Sequence, residues 1–228
     1  MGPMGGGGRS PGPPIEAGSM KKDRWSTGRI EAFSDGVFAI AITLLVLEIG
    51  VPESELDDLW AGIADQWPSY FAYVTSFLTI GAIWLGHHAI FRRLQSADAP
   101  VMRANLLLLM LVSFLPFPTK LLAQTIDAPS QETAAVVLYG VVLLAISATA
   151  SLLWRHIATN RDLLEPDVTD EDIDRISRAV TPNVGFYVLV ILLALVAPQV
   201  AAAGFLVIAV TAVFRQRGDR SSDAAASG

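Results

Sequence analysis

Apolar residues occur along this chain in long runs rather than in the alternating patterns of soluble domains. A helix needs about 20 such residues to cross a bilayer core about 30 Å thick. Runs of this length occupy residues 30–50, 68–91, 104–122 and 133–154. A last run, 180–214, is too long for one crossing, and Pro198 interrupts it, so we expect a hairpin at Ala197, Pro198 and Gln199. The pattern predicts an all-α polytopic membrane protein with six transmembrane helices.

The basic residues test this count, because short cytoplasmic loops collect lysine and arginine. Of 16 such residues, all except Lys120 lie in segments that six spans place on one side of the membrane. A five-span arrangement would put Arg215, Arg217 and Arg220 on the other side. We therefore expect both termini to be cytoplasmic.

Composition narrows the class of protein. Hydrophobic residues make up 52% of the chain and charged residues 17%, against about 25% charged in soluble domains. The absence of cysteine excludes a disulfide scaffold and thiolate metal sites. The formal charge of −6 argues against a nucleic-acid partner. With only three histidines, we expect no cofactor, no resident metal and no enzyme.

The chain divides into three predicted parts. Residues 1–28 form a Gly/Pro-rich cytoplasmic tail that we expect to be disordered. Residues 29–215 form the transmembrane domain, and 216–228 form a cytoplasmic tail. Within the loop before the fifth span, Thr169 and Asp172 resemble a capping box, which predicts a short surface helix.

The first predicted span contains an acid, Asp35, inside the membrane boundary. An ionisable side chain at that depth is costly and usually has a partner. The helical rise places residues of the second and third spans at about the same level. We expect Asp35 to be held by His87 or His88 and by Asn105, with Trp84 one turn from His88. The predicted polar cluster comprises Arg29, Ser34, Asp35, Trp84, His87 or His88, and Asn105.

Two interpretations of this cluster are open. It is either a structural staple, since hydrogen bonds between helices hold membrane bundles together, or a gate or proton-sensitive element, because histidine titrates near neutral pH. Zinc binding is disfavoured, since the adjacent residues His87 and His88 point to different faces of a helix.

A second pattern follows along the same span. Ile40, Thr43, Leu44 and Leu47 have the spacing of one helical stripe. Composition alone favours a helix-packing role for such a stripe. At its outer end, Glu48 and the acidic loop after it suit a cation entrance, although solvated loop charges explain them equally well.

The first span also carries a family signature. Its R-x-x-x-F-S-D motif, formed by Arg29, Phe33, Ser34 and Asp35, is followed by GVFAIAITLLVLEI. These residues resemble the transmembrane protein 175 family of potassium channels, found in endolysosomes and prokaryotes. The resemblance implies that the first helices of four subunits line a pore and that the signature residues anchor this helix to the next two.

The resemblance also assigns roles to the stripe. Ile40, Leu44 and Leu47 would form hydrophobic constrictions, Thr43 a hydroxyl layer and Glu48 the pore mouth. With one signature and no T-V-G-Y-G filter in the sequence, we expect a homotetramer that conducts potassium ions across a prokaryotic cell membrane. A secondary transporter, suggested by Pro116 and Pro118 in the third span, and a proton-permeable cation channel are the alternatives. A membrane enzyme is a weaker third class.

Overall fold

The computed structural model describes residues 26–50, 57–125, 129–180 and 182–226, together with Gly2. The predicted tail over residues 1–28 falls mostly outside these ranges and stays a prediction. The described chain is helical apart from short connections, which confirms the all-α class. Its α-helices are α1 (Thr27–Leu44), α2 (Leu59–Asp65), α3 (Trp67–Phe91), α4 (Ala99–Phe114), α5 (Pro116–Thr125), α6 (Pro129–Thr159), α7 (Asp170–Val180), α8 (Pro182–Ala194) and α9 (Pro198–Ala226).

Four helical segments are long and apolar enough to cross a membrane. They are Thr27–Glu48, Trp67–Phe91, Ala99–Thr125 and Gln131–Thr159. Two shorter apolar helices follow, Val184–Ala194 and Pro198–Phe214. The described chain therefore has the helices of an integral membrane protein.

The predicted third span corresponds to the single segment Ala99–Thr125, which consists of two helices in direct succession. α4 ends at Phe114 and α5 begins at Pro116. Proline has no backbone N–H to offer to the carbonyl of Val112. That carbonyl instead accepts from the backbone N–H of Leu115, with an N–O distance of 3.1 Å. The tightened turn produces the break between α4 and α5.

The predicted hairpin in the last apolar run is present. α8 ends at Ala194, and the N–H of Ala197 donates to the carbonyl of Leu193 at 2.8 Å before α9 begins at Pro198. The first helical position suits proline, because a backbone N–H would have no partner within the helix there.

A close contact brings this hairpin against α6. Gly140 lies in α6, and a Cβ added there would be 2.6 Å from Ile191 Cγ1 on α8 and 2.9 Å from Phe205 Cζ on α9. Real Cβ atoms are not found at such distances, so a side chain at this position would force a neighbour to move. The absence of a side chain at residue 140 lets the three helices approach one another.

The surface helix predicted after Thr169 is α7, and its capping box is formed. The N–H of Thr169 donates to Asp172 Oδ2, and the N–H of Asp172 donates to Thr169 Oγ1, each at 3.2 Å. The hydroxyl of Thr169 also donates to Asp172 Oδ2, and this bond is the main reason that the pKa of Asp172 lies below its usual range. The indole N–H of Trp154 on α6 donates to the Ser177 hydroxyl at 2.8 Å, which ties α7 to the bundle.

Candidate ion pathway and the polar cluster beside it

One face of α1 packs against the rest of the chain. The buried residues recur every three or four positions along the helix and its 3-10 extension Leu45–Glu48, and they are Ile30, Ser34, Phe38, Ala41 and Leu45. They contact α3 and α4. This spacing places the buried residues on a single face of the helix. The packing of that face fixes how α1 is rotated about its own axis.

The other face of α1 is exposed in the single chain. Ile40 is 61% exposed, Leu44 41% and Leu47 73%, and Phe33 nearer the helix start is 59% exposed. Thr43 is exposed between them, and its hydroxyl donates to the carbonyl of Ile40 at 2.9 Å. The predicted stripe is therefore continuous on one side of α1. It does not serve as packing core within this chain.

The predicted mouth residue Glu48 has a charged partner. Its Oε2 lies 2.8 Å from Nζ of Lys120, which projects from α5. Lys120 is the one base that the charge pattern placed on the outer side. The isolation of Lys120 from the other basic residues is the sequence signal from which this pair could have been predicted.

The polar cluster contains a buried chain of hydrogen bonds that joins α1, α3 and α4. The Ser34 hydroxyl donates to the carbonyl of Ile30 at 2.8 Å, so its oxygen is free to accept from Asn105 Nδ2 at 3.1 Å. The Asn105 carbonyl oxygen then faces His87 Nε2 at 2.8 Å. Since Asn105 Oδ1 can only accept, the hydrogen in this bond is on His87 Nε2.

The predicted partner of Asp35 was wrong. Asp35 Oδ1 accepts from the indole Nε1–H of Trp84 at 2.7 Å, whereas His87 uses its Nε2 on Asn105. His88 Nδ1 instead lies 2.7 Å from Glu31 Oε1. Asp35 and Ser34 are neighbours in sequence and point about 100° apart around α1, so Asp35 meets Trp84 of α3 whereas Ser34 meets Asn105 of α4.

The remaining members of the cluster occupy its edge. Trp84 and His88 are one turn apart on α3, and their rings stack with centroids 5.8 Å apart. Arg29 is exposed on the first turn of α1 and is not a member of the hydrogen-bond chain. Among the residues that the structure describes, no three His, Asp or Glu side chains are arranged to hold a metal ion.

Comparisons with known proteins identify the family of this chain. Residues 29–116 match the profile of the family described as endosomal/lysosomal potassium channel TMEM175. A potassium channel of Chamaesiphon minutus is 45% identical over 166 residues, which are 72% of this chain and 81% of that protein. An endosomal/lysosomal proton channel TMEM175 of Danio rerio is 33% identical over 153 residues, 63% of this chain and 29% of that protein.

A solved structure gives the same result for the fold. The crystal structure of a lysosomal potassium-selective channel TMEM175 homolog from Chamaesiphon minutus aligns with a TM-score of 0.75 and 40% identity. The alignment covers 83% of this chain and 97% of that one. The chain therefore belongs to the TMEM175 family, which is a family of ion channels and not of enzymes.

Proposed function

We propose that this protein is one subunit of a potassium-selective cation channel whose pore is lined by α1. The observation that carries the proposal is the exposed stripe of Ile40, Thr43, Leu44 and Leu47 on the side of α1 opposite its packed face. Exposed apolar side chains can also face lipid in a membrane. The match of residues 29–116, which contain α1, to the channel family supports placing this stripe against the stripes of other copies.

Four copies around one axis form the proposed assembly. One stripe cannot enclose a pathway, and the sequence contains a single R-x-x-x-F-S-D signature. Closed cyclic symmetry brings the same face of each subunit to the axis. Both termini are cytoplasmic in this proposal, and α8 and α9 complete six crossings in a prokaryotic cell membrane.

Selectivity in the proposed pore arises without a carbonyl filter. Ile40, Leu44 and Leu47 form apolar constrictions, where a passing ion loses part of its hydration shell. Potassium loses water at a lower cost than the smaller sodium ion. Thr43 adds oxygen lone pairs at the axis, because its hydroxyl hydrogen is already donated to the Ile40 carbonyl.

The polar cluster is a staple in this account. Ser34, His87 and Asn105 are almost fully buried and bond to one another rather than facing the exposed stripe. Their bonds hold α1 against α3 and α4 in the rotation that presents Ile40 to the axis. The gating interpretation of the cluster is therefore secondary.

Proton permeation is the second candidate function, and the proton-channel name of the Danio rerio relative favours it. A direct experiment separates the two. The purified protein is reconstituted into planar bilayers and recorded with potassium on one side and sodium on the other, and then under a pH gradient. Unitary currents whose reversal potential shows potassium to be more permeant than sodium support the proposal. Currents that follow only the pH gradient support the second candidate, and transport without unitary currents would indicate a transporter.

A further inference from the structure

A cavity of about 420 Å³ lies between α3, α6, α7, α8 and α9, away from the exposed stripe of α1. This volume falls within the range of small-molecule sites, about 300–1,000 Å³. Its wall on α3 runs from Thr79 to Arg93, which is about 21 Å along the helix axis at 1.5 Å per residue. The cavity is therefore long and narrow, and it extends over more than half of a bilayer core.

The inner wall of the cavity is mostly apolar. Ile83 on α3, Leu143 and Ile146 on α6, and Ile208 and Ala209 on α9 line it. The walls leave a passage that matches a flexible hydrocarbon chain better than a compact polar solute, because a polar solute would lose its hydration against mostly apolar side chains.

The end of the cavity at the C-terminus of α3 is basic. Arg92 and Arg93, which directly follow α3, and Arg175 of α7 line it, and among the described residues no acid does. Asp172 contacts two of these groups from outside the lining, at 3.9 Å from Arg93 and 3.3 Å from Arg175. Among the described residues, the lining of this end therefore contains three guanidinium groups and no carboxylate.

One residue that lines the cavity has a buried polar atom without a partner among the described residues. His87 lines the cavity and is 3% exposed, and its Nδ1 has no hydrogen-bond partner among the described residues. Because Nε2 carries the hydrogen that bonds Asn105, the neutral ring presents a lone pair at Nδ1. A buried acceptor without a donor is costly, so a hydroxyl group or water in the cavity would stabilise it.

We propose that this cavity binds one anionic phospholipid from the adjacent leaflet, with an acyl chain along α3 and the phosphate at Arg92, Arg93 and Arg175. Basic pockets between membrane helices on the cytoplasmic side bind anionic headgroups, and the basic end of this cavity lies on the side that the charge pattern assigns to the cytoplasm. The proposal concerns a site outside the ion pathway and does not depend on which ion is conducted.

The test is lipid binding to the full-length protein in detergent, measured by native mass spectrometry. Dioleoylphosphatidylglycerol is compared with dioleoylphosphatidylcholine and with glycerol 3-phosphate, which has the anionic group without tails. We expect the phosphatidylglycerol to be retained at one per chain in preference to the other two. Equal retention of both phospholipids, or competition by glycerol 3-phosphate at similar concentration, would overturn the proposal.

Two variants locate the site. Arg92→Gln should weaken phosphatidylglycerol binding about fivefold, because each basic residue contributes about 1 kcal/mol. Arg103→Gln, on the exposed α4 surface outside the cavity, should leave binding unchanged.

Ala212→Phe should occlude the cavity and abolish retention, with Ala203→Phe on an exposed position of α9 as its control. Thermal unfolding of each variant verifies folding. Equal losses in variants and controls would mean that the lipid binds elsewhere.

Discussion

The indole N–H of Trp84 donates to the carboxylate of Asp35 at 2.7 Å, across the contact between α3 and α1. This bond accounts for an acid within a span, since an ionisable group at membrane depth is stabilised by a hydrogen-bond partner. It also fixes the rotation of α1, because the preceding residue, Ser34, accepts a hydrogen bond from Asn105 on α4. Trp84 and Asn105 together hold α1 from two sides.

Loss of the Trp84 donor should weaken the bundle. Trp84→Phe keeps an aromatic ring but removes the N–H, and we expect a loss of about 1.5–3 kcal/mol, typical of a hydrogen bond to a charged group. Asp35→Ala should likewise lower the yield of assembled protein more than it alters ion preference. Thermal unfolding and size-exclusion chromatography in detergent measure both effects.

Trp60→Phe is the matched control, because Trp60 on α2 is 83% exposed. It should leave stability unchanged. If Asp35→Ala gave normal assembly but a changed ion preference, Asp35 would face the ion pathway and the staple interpretation would fail.

Polar substitution of the stripe should change permeation. Ile40→Asn and Leu47→Asn would hydrate an apolar constriction, so conductance should rise while discrimination between potassium and sodium falls. Currents under bi-ionic conditions measure both quantities. Leu189→Asn is the control, because Leu189 on α8 is similarly exposed at 62% but lies outside the stripe. Wild-type currents in both stripe variants, with normal assembly, would restore a packing role for the stripe.

A side chain at Gly140 should destabilise the contact between α6 and the α8–α9 hairpin. Gly140→Val would overlap Ile191 and Phe205, and overpacking of this kind costs about 1–3 kcal/mol. The midpoint of thermal unfolding should fall accordingly. Gly81→Ala on α3, where nothing lies within 4 Å of the added Cβ, should leave it unchanged or raise it. A variant at residue 140 as stable as wild type would show that these helices are less closely packed than described.

Depth along a helix was predictable from the sequence, but rotation about its axis was not. Counting residues from the boundary placed Asp35, His87 and Asn105 at one level, and the structure does bring Ser34, His87 and Asn105 together. Neighbouring positions on a helix point about 100° apart, so depth alone could not choose between His87 and His88 as the inward side chain. Depth also placed Trp84 one turn from His88, but it could not show that Trp84 donates a hydrogen bond to Asp35.

Short sequence motifs predicted the hairpin before α9 and the start of α7. Pro198 predicted the last hairpin, and Thr169 with Asp172 predicted the start of α7, because both depend on backbone groups within a few residues. The cavity beside Arg92 and Arg175 could not be predicted in this way. It depends on how α3, α6 and α9 are spaced, which is set by long-range packing.

The most direct test of the proposed pore uses the absence of cysteine from the sequence. Ile40→Cys introduces one thiol, and a positively charged, membrane-impermeant methanethiosulfonate reagent is applied during recording. A thiol in an aqueous pathway ionises and reacts, whereas one facing lipid does not. The account predicts that modification of Ile40→Cys blocks the potassium current, while Leu189→Cys and the cysteine-free protein are unaffected. Unchanged current through Ile40→Cys after modification confirmed by mass spectrometry would contradict the claim that α1 lines the pore.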